Sequence, residues 1–300
     1  MRVITELLEI GWEGPTVLTL GKFDGLHRGH QTLIRRVREK AGELGAAALA
    51  LSFNPSRDFL LSSDEKHRML DEMGMDGHIE IPFVPEILSM EAEDFVRNIL
   101  VDRLHACHIV AGEDFRFGHN RRGDTKLLEK LGETLGFGVD ILPKLMEGDR
   151  RISSTRIRGH LAAGEMEEAE KLLGYPYFIT GEILHGRRIG RTIGFPTANI
   201  LPEKGKVLPP MGVYFVRSEI DGRELSGIAN LGTKPTVDGS FVGIETHLFG
   251  LEKELYGQRQ KVGLLHFHRP EQKFPDLDTL CRRIGKDREE ALNYFNGLKK

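Results

Sequence analysis

Two histidines three residues apart, His27 and His30, lie in the run Gly21-Lys22-Phe23-Asp24-Gly25-Leu26-His27-Arg28-Gly29-His30, between a strand pattern and a helix pattern. Residues at that spacing share one side of a helix's first turn. The free N–H groups at such a terminus attract anions. Glycines at 21, 25 and 29 permit tight turns and close backbone approach to phosphate oxygens. The arrangement suits a polyphosphate, with Gly21, Phe23, Asp24, Gly25, His27 and His30 as candidate contacts. A second phrase, Ile152-Ser153-Ser154-Thr155-Arg156-Ile157-Arg158, opens a later helix. Alone it would be an ordinary Ser/Thr cap with surface arginines. Beside the first phrase, Ser154, Thr155 and Arg158 suit the same phosphate chain from its other side.

A separate constellation lies downstream. The stretch 185–199 is a loop rich in glycine and arginine, with Gly186, Arg191 and Gly194, that leads into Pro196-Thr197-Ala198-Asn199. In an extended segment Thr197 and Asn199 project to one side. A hydroxyl and an amide there suit a magnesium ion and a phosphate oxygen. The loop lacks the Gly-Lys-Ser/Thr ending of a Walker A motif. Further on, Glu245 interrupts the strand-like run Ile244-Glu245-Thr246-His247-Leu248-Phe249, with His247 on its face. A carboxylate in such a strand is costly unless it meets water or a ligand.

Two halves of the chain must position these groups. From 16 to 142, strand patterns at 16–21, 46–53, 79–83, 108–111 and 139–142 alternate with helix patterns at 30–44, 64–73, 91–104 and 125–135. Asp64 is the expected cap of the second helix. A helix over 155–173, ended by Gly174, closes this half. The alternation predicts a parallel sheet with helices on both faces, a Rossmann-like α/β domain. After Tyr175 the strands come without helices, at 178–184, 213–220, 223–229, 242–249 and 262–268, with Asp221-Gly222 as a hairpin turn. A helix over about 276–295 ends the chain. This half predicts a small antiparallel β-barrel with a C-terminal helix. The expected domains are 1–174 and 175–300.

The 300 residues carry a net charge of −3, which argues against a nucleic-acid binder. Two cysteines without metal-like spacing, no signal-peptide core and no membrane-length apolar run predict a cytoplasmic protein that does not engage membranes. His266 and His268 alternate on one strand, and no acidic partner is evident for them in the nearby sequence. Nothing in the residues indicates an oligomeric state.

The phrases also carry a resemblance. The 21–30 run, the 152–158 run and Val110-Ala111-Gly112-Glu113-Asp114-Phe115-Arg116-Phe117-Gly118 resemble the adenylyltransferase half of the bacterial bifunctional riboflavin kinase/FMN adenylyltransferases, also called FAD synthetases. The stretch 185–199, Gly227 to Thr236, Glu245 and Arg269 to Phe274 resemble the kinase half. The resemblance implies that the N-terminal half adenylylates FMN to FAD, with Asn54, Asp114 and Arg116 at the flavin and phosphate end. It implies that the C-terminal half phosphorylates riboflavin to FMN. Both steps consume ATP and use magnesium, and Glu245 takes the place of the family's catalytic glutamate. The chemistry fits this division. The FMN phosphate is already an anion and needs no base, whereas a neutral alcohol calls for a carboxylate. One departure stands out. The phrase Ser52-Phe53-Asn54-Pro55-Ser56-Arg57-Asp58 lacks the His-Pro usual after the second strand. It leaves open a kinase whose N-terminal half has weak or altered nucleotidyltransferase activity.

Overall fold

Val17, Leu18, Leu49, Leu51, Ile79 and Ile109 are buried at the centre of one sheet, which accounts for the apolar runs in the first half of the chain. The computed structural model describes residues 1–53, 58–81, 84–184, 195–220, 222–236, 239–251 and 257–298. These form two compact units, Met1–Ser154 and Thr155–Lys300.

The first unit runs β1 (Arg2–Ile4), β2 (Thr16–Gly21), α1 (Arg28–Leu44), β3 (Ala47–Phe53), α2 (Ser63–Glu72), β4 (Gly77–Ile81), α3 (Pro85–Leu88), α4 (Ala92–Asp94), β5 (Ala106–Gly112), α5 (Thr125–Leu135), β6 (Gly138–Leu142) and the small hairpin β7 (Met146–Glu147) and β8 (Arg150–Arg151). Six strands pair in the order β1-β4-β3-β2-β5-β6, every pair parallel. The Rossmann-like expectation holds. Strand order reverses at β2, which has β3 on one side and β5 on the other. The crevice at the carboxyl ends of β2 and β5 is therefore the topological switch point, where open α/β sheets bind ligands. The phrases that begin at Gly21 and Gly112 both leave the sheet there.

Three local expectations need correction. The cap of α2 is Ser62 rather than Asp64: the Ser62 hydroxyl accepts from the Glu65 N–H, and the Glu65 carboxylate accepts from the Ser62 N–H. That reciprocal pair satisfies two end donors, which Asp64, inside the first turn, would not do. The helix predicted over 91–104 begins as α4 and continues as the π-helix Phe95–Val101. The single helix predicted over 155–173 is two, α6 (Ser154–Ala163) and α7 (Met166–Leu173). Gly164, at φ +75°, turns the chain between them.

The second unit contains α6 beyond Ser154, α7, then β9 (Phe178–Glu182), β10 (Ala198–Ile200), β11 (Gly212–Ile220), β12 (Arg223–Thr236), β13 (Gly239–Leu248), β14 (Arg259–Pro270) and α8 (Leu277–Gly297). Its strands pair antiparallel in the order β10-β13-β12-β11-β14-β9. An isolated bridge between Leu184 and Asn199 brings the chain after β9 back against β10, so the sheet nearly closes into the expected barrel. Along β13, Ile244, Thr246 and Leu248 are buried, while Glu245 and His247 are half-buried. The intervening residues thus point to the other face, as the period of two requires. Helix α8 lies on the barrel through Ala291 and Phe295, which pack with Phe215, Ile228 and Leu265.

Candidate active sites

Between β2 and α1 the chain makes a loop held mainly by its own buried residues. Phe23 and Leu26 have left-handed φ values of 47° and 35° and are both fully buried. For residues with a side chain that conformation costs about 1–2 kcal/mol; packing in the core offsets it. The Asp24 carboxylate accepts from the Leu60 N–H at 2.7 Å, and the Ser154 hydroxyl donates to the Asp24 carbonyl at 2.8 Å. Ser154, the first residue of α6, is thereby tied to the glycine-rich loop. Thr155 and Arg158 follow it on the same helix.

His27 caps α1, its Nδ1 accepting from the His30 N–H. The two imidazoles stack, with centroids 3.6 Å apart and planes 13° from parallel, and Phe23 stands edge-on to His30 at 5.3 Å. Burial lowers His27 to about 4. Burial lowers His30 well below its ordinary value too, with His27 and Lys66 adding to the effect. The free site therefore presents neutral rings, and among the described residues the buried Nδ1 of His30 has no hydrogen-bond partner. A buried polar atom so placed is suited to an arriving phosphate.

At the end of β5, Asp114 and Arg116 are exposed. Asp114 pairs with Lys144 at 3.3 Å, and Arg116 donates to the Phe115 carbonyl at 2.8 Å. Phe117 is buried in the core with Phe115 stacked on it at 5.3 Å. Asn54, expected beside the flavin, lies outside the described residues, as do Pro55, Ser56 and Arg57 of the same loop.

Between α2, β3 and β4 is a polar network that the sequence pattern did not reveal. Lys66 on α2 donates to Glu80 on β4 at 3.0 Å, both buried. His67 lies 3.6 Å from the same carboxylate, and Ser52 and His78 share a hydrogen bond of 2.8 Å. Burial opposes ionisation of Glu80, but the neighbouring His67 and the hydrogen bond and charge of Lys66 outweigh it and hold the carboxyl at about 2. His78 is lowered by burial to about 3. The available signal was a strand of five buried residues, Gly77–Ile81, that contains both a histidine and a glutamate.

In the barrel, register brings two of the predicted residues together. Asn199 on β10 is the direct cross-strand partner of Glu245 on β13. Across the next ladder Glu245 faces Asn230 on β12. Directly opposed residues project to the same face, so the three side chains form one polar row. Asn230 donates to Glu271 at 3.2 Å. That carboxylate lies over Gly232, where a Cβ would come within 1.9 Å of its Oε1. Asn230 and Glu271 were not among the predicted site residues; their part depends on ladder register. Thr197 is half-buried just before β10. Gly186, Arg191 and Gly194 lie outside the described residues. The donor set fits the expected magnesium: hydroxyl, amide and carboxylate oxygens are what a hard divalent cation takes.

His266 and His268 do have acidic partners, which the folded chain brings from distant helices. His266 meets Glu167 of α7 at 2.7 Å. His268 meets Asp287 at 3.3 Å and Glu290 at 2.9 Å on α8. Arg269 and Arg283 also bind the Asp287 carboxylate, which makes this an ion-pair network fastening α8 to β14.

Residues 11–156 match the family model described as FAD synthetase, and residues 173–295 the one described as riboflavin kinase. The bifunctional riboflavin kinase/FMN adenylyltransferase of Escherichia coli is 39% identical, over 100% of this chain and 98% of that protein. That of Bacillus subtilis is 34% identical, over 96% and 95%. A crystal structure described as a macrolide-efflux protein from Streptococcus pneumoniae has the same fold at TM-score 0.85, with 30% identity, over 97% of this chain and 98% of that one. Among the described residues, no helix is long and apolar enough to cross a membrane.

Proposed function

The chain belongs to the family of bifunctional riboflavin kinase/FMN adenylyltransferases, and on that premise we propose how its residues divide the two reactions. The kinase half, 175–300, transfers the γ-phosphoryl group of ATP to the terminal hydroxyl of riboflavin. Glu245 orients that hydroxyl and accepts its proton, ADP leaves, and FMN results. Thr197 and Asn199 would hold magnesium, which would supply neutralisation of charge on the phosphates. Gly186, Arg191 and Gly194 belong to the loop assigned to the nucleotide.

The adenylyltransferase half, 1–174, uses the FMN phosphate as its attacking group. This oxygen is already anionic and displaces pyrophosphate from the α-phosphorus of a second ATP, forming FAD with no proton to remove. The task left to the protein is positioning and charge stabilisation. His27, His30 and the loop N–H groups receive the triphosphate, with Ser154, Thr155 and Arg158 as further contacts. Asn54, Asp114 and Arg116 are assigned to the flavin end. Cys107 and Cys281 are free thiols, in keeping with the cytoplasmic location we propose.

The observation that carries the kinase assignment is the register that sets Asn199 opposite Glu245. The test is a product assay that starts from riboflavin, ATP and magnesium. FMN should form first, then FAD with pyrophosphate. FMN accumulating without FAD would favour a kinase with an impaired N-terminal half. Absence of FMN would overturn the reading.

A further inference from the structure

Among the groups that the proposed chemistry leaves unused, His247 is joined most directly to the phosphate-holding segment. Its Nδ1 lies 3.0 Å from the Pro196 carbonyl oxygen. A carbonyl only accepts, so Nδ1 carries the proton and Nε2 keeps its lone pair. The Phe195 ring stands edge-on to the same imidazole, with centroids 5.4 Å apart. Both contacts fall on the two residues immediately before Thr197. Residues 195–197 belong to no strand, and Pro196 has no N–H to give to a ladder.

His247 is itself held in place. Phe249 stands edge-on to it at 6.0 Å. Phe249 in turn meets Phe295 of α8 edge-on at 6.4 Å and has the Arg288 guanidinium 5.8 Å from its ring. A line of contacts thus runs from α8 through Phe249 and His247 to the residues that lead into Thr197.

We infer that His247 is a positioning residue for the magnesium and nucleotide-phosphate end of the kinase site, its Nδ1–H clamping the Pro196 carbonyl so that Thr197 is set beside Asn199. The side chain touches no reacting atom. Groups of this kind, one step behind a metal's ligands, typically change metal affinity 10- to 100-fold when removed. A ring that merely filled space would be replaced by phenylalanine without loss; a clamp needs its donor at the Nδ1 position.

The inference rests on the kinase reading of the barrel, and the experiment separates the two. In the full chain, His247 is changed to Phe, Asn and Gln. The Asn amide nitrogen reaches the place of Nδ1, whereas the Gln amide reaches the place of Nε2. Riboflavin phosphorylation is measured against Mg·ATP and against riboflavin, and Mg·ADP binding is measured by calorimetry. His247→Phe and His247→Gln should raise KM for Mg·ATP and weaken Mg·ADP binding, each by about 10- to 100-fold, with less change in kcat and in KM for riboflavin. His247→Asn should stay close to the unaltered protein. Should the Phe variant fail to fold, the Asn and Gln variants decide. Equal Mg·ADP binding by the Asn and Gln variants, or unaltered binding by a folded Phe variant, would overturn the inference. Failure of the unaltered protein to phosphorylate riboflavin would instead remove the reading beneath it.

Discussion

Asn199 and Glu245 face each other directly across the β10–β13 ladder. Their pairing puts the proposed base and a proposed metal ligand on one face of the barrel. Glu245→Gln keeps the shape of the side chain and removes its capacity to accept a proton. Riboflavin phosphorylation should fall by roughly 100- to 10,000-fold, while adenylylation of supplied FMN persists. Radiolabelled ATP with each acceptor in turn measures both. Loss of the two activities together in a folded variant would count against separate sites.

The converse substitution addresses the other half. Replacing His27 and His30 together by Ala removes the stacked pair at the head of α1. Adenylylation should drop by roughly 100-fold or more, and the kinase should be spared. A collapse of phosphorylation in this variant would show that the assignment of sites is wrong.

The pH dependence of stability follows from buried histidines of the N-terminal unit. His27 is lowered to about 4 and His78 to about 3, against an ordinary histidine value near 6.5. Below pH 6.5 the unfolded chain takes up protons that the folded chain refuses, so their contribution is complete above 6.5 and is lost as pH falls through 4 and then 3. Each histidine contributes a slope of about 1.4 kcal/mol per pH unit within its window. The single tryptophan, Trp12, packs against the N-terminal core, so its fluorescence during urea unfolding reports on that unit. Midpoints should fall between pH 7 and pH 5, and His78→Gln should flatten the slope. An unchanged slope in that variant would remove His78 from the explanation.

The Lys66–Glu80 pair makes a third demand on the N-terminal unit. Glu80→Gln leaves an ammonium group buried without its carboxylate, at a cost of about 3–5 kcal/mol. Changing Lys66 to Met as well should restore much of that loss, because two buried charges are then absent rather than one unmatched. Urea unfolding followed at Trp12 checks both. A double variant as unstable as the single one would contradict the pairing.

What the sequence disclosed was chiefly local. The 21–30 loop could be read because its glycines, histidines and following helix are contiguous, and the cradle depends on neighbours in the chain. The change from alternating helices to bare strands near Tyr175 was equally visible in the residue pattern. The break at Gly164 was not foreseen, since apolar residues keep a helical rhythm on either side of it. Asn230 lies inside the longer phrase Gly227 to Thr236; its place beside Glu245 is a matter of register, which strand patterns do not specify. Lys66 escaped notice because its partner comes from another element, and a lysine on a helix is ordinarily solvated.

Neighbouring residues of β13 serve separate ends: Ile244, Thr246 and Leu248 are packed away, while Glu245 and His247 lie half-buried on the opposite face proposed for the kinase site. Evolution can therefore exchange the hidden set for other shapes without disturbing the chemistry, and can retune the facing set without emptying the core. A single inserted residue in this strand would exchange the two sets and damage both at once, so the segment should tolerate substitutions far better than changes of length.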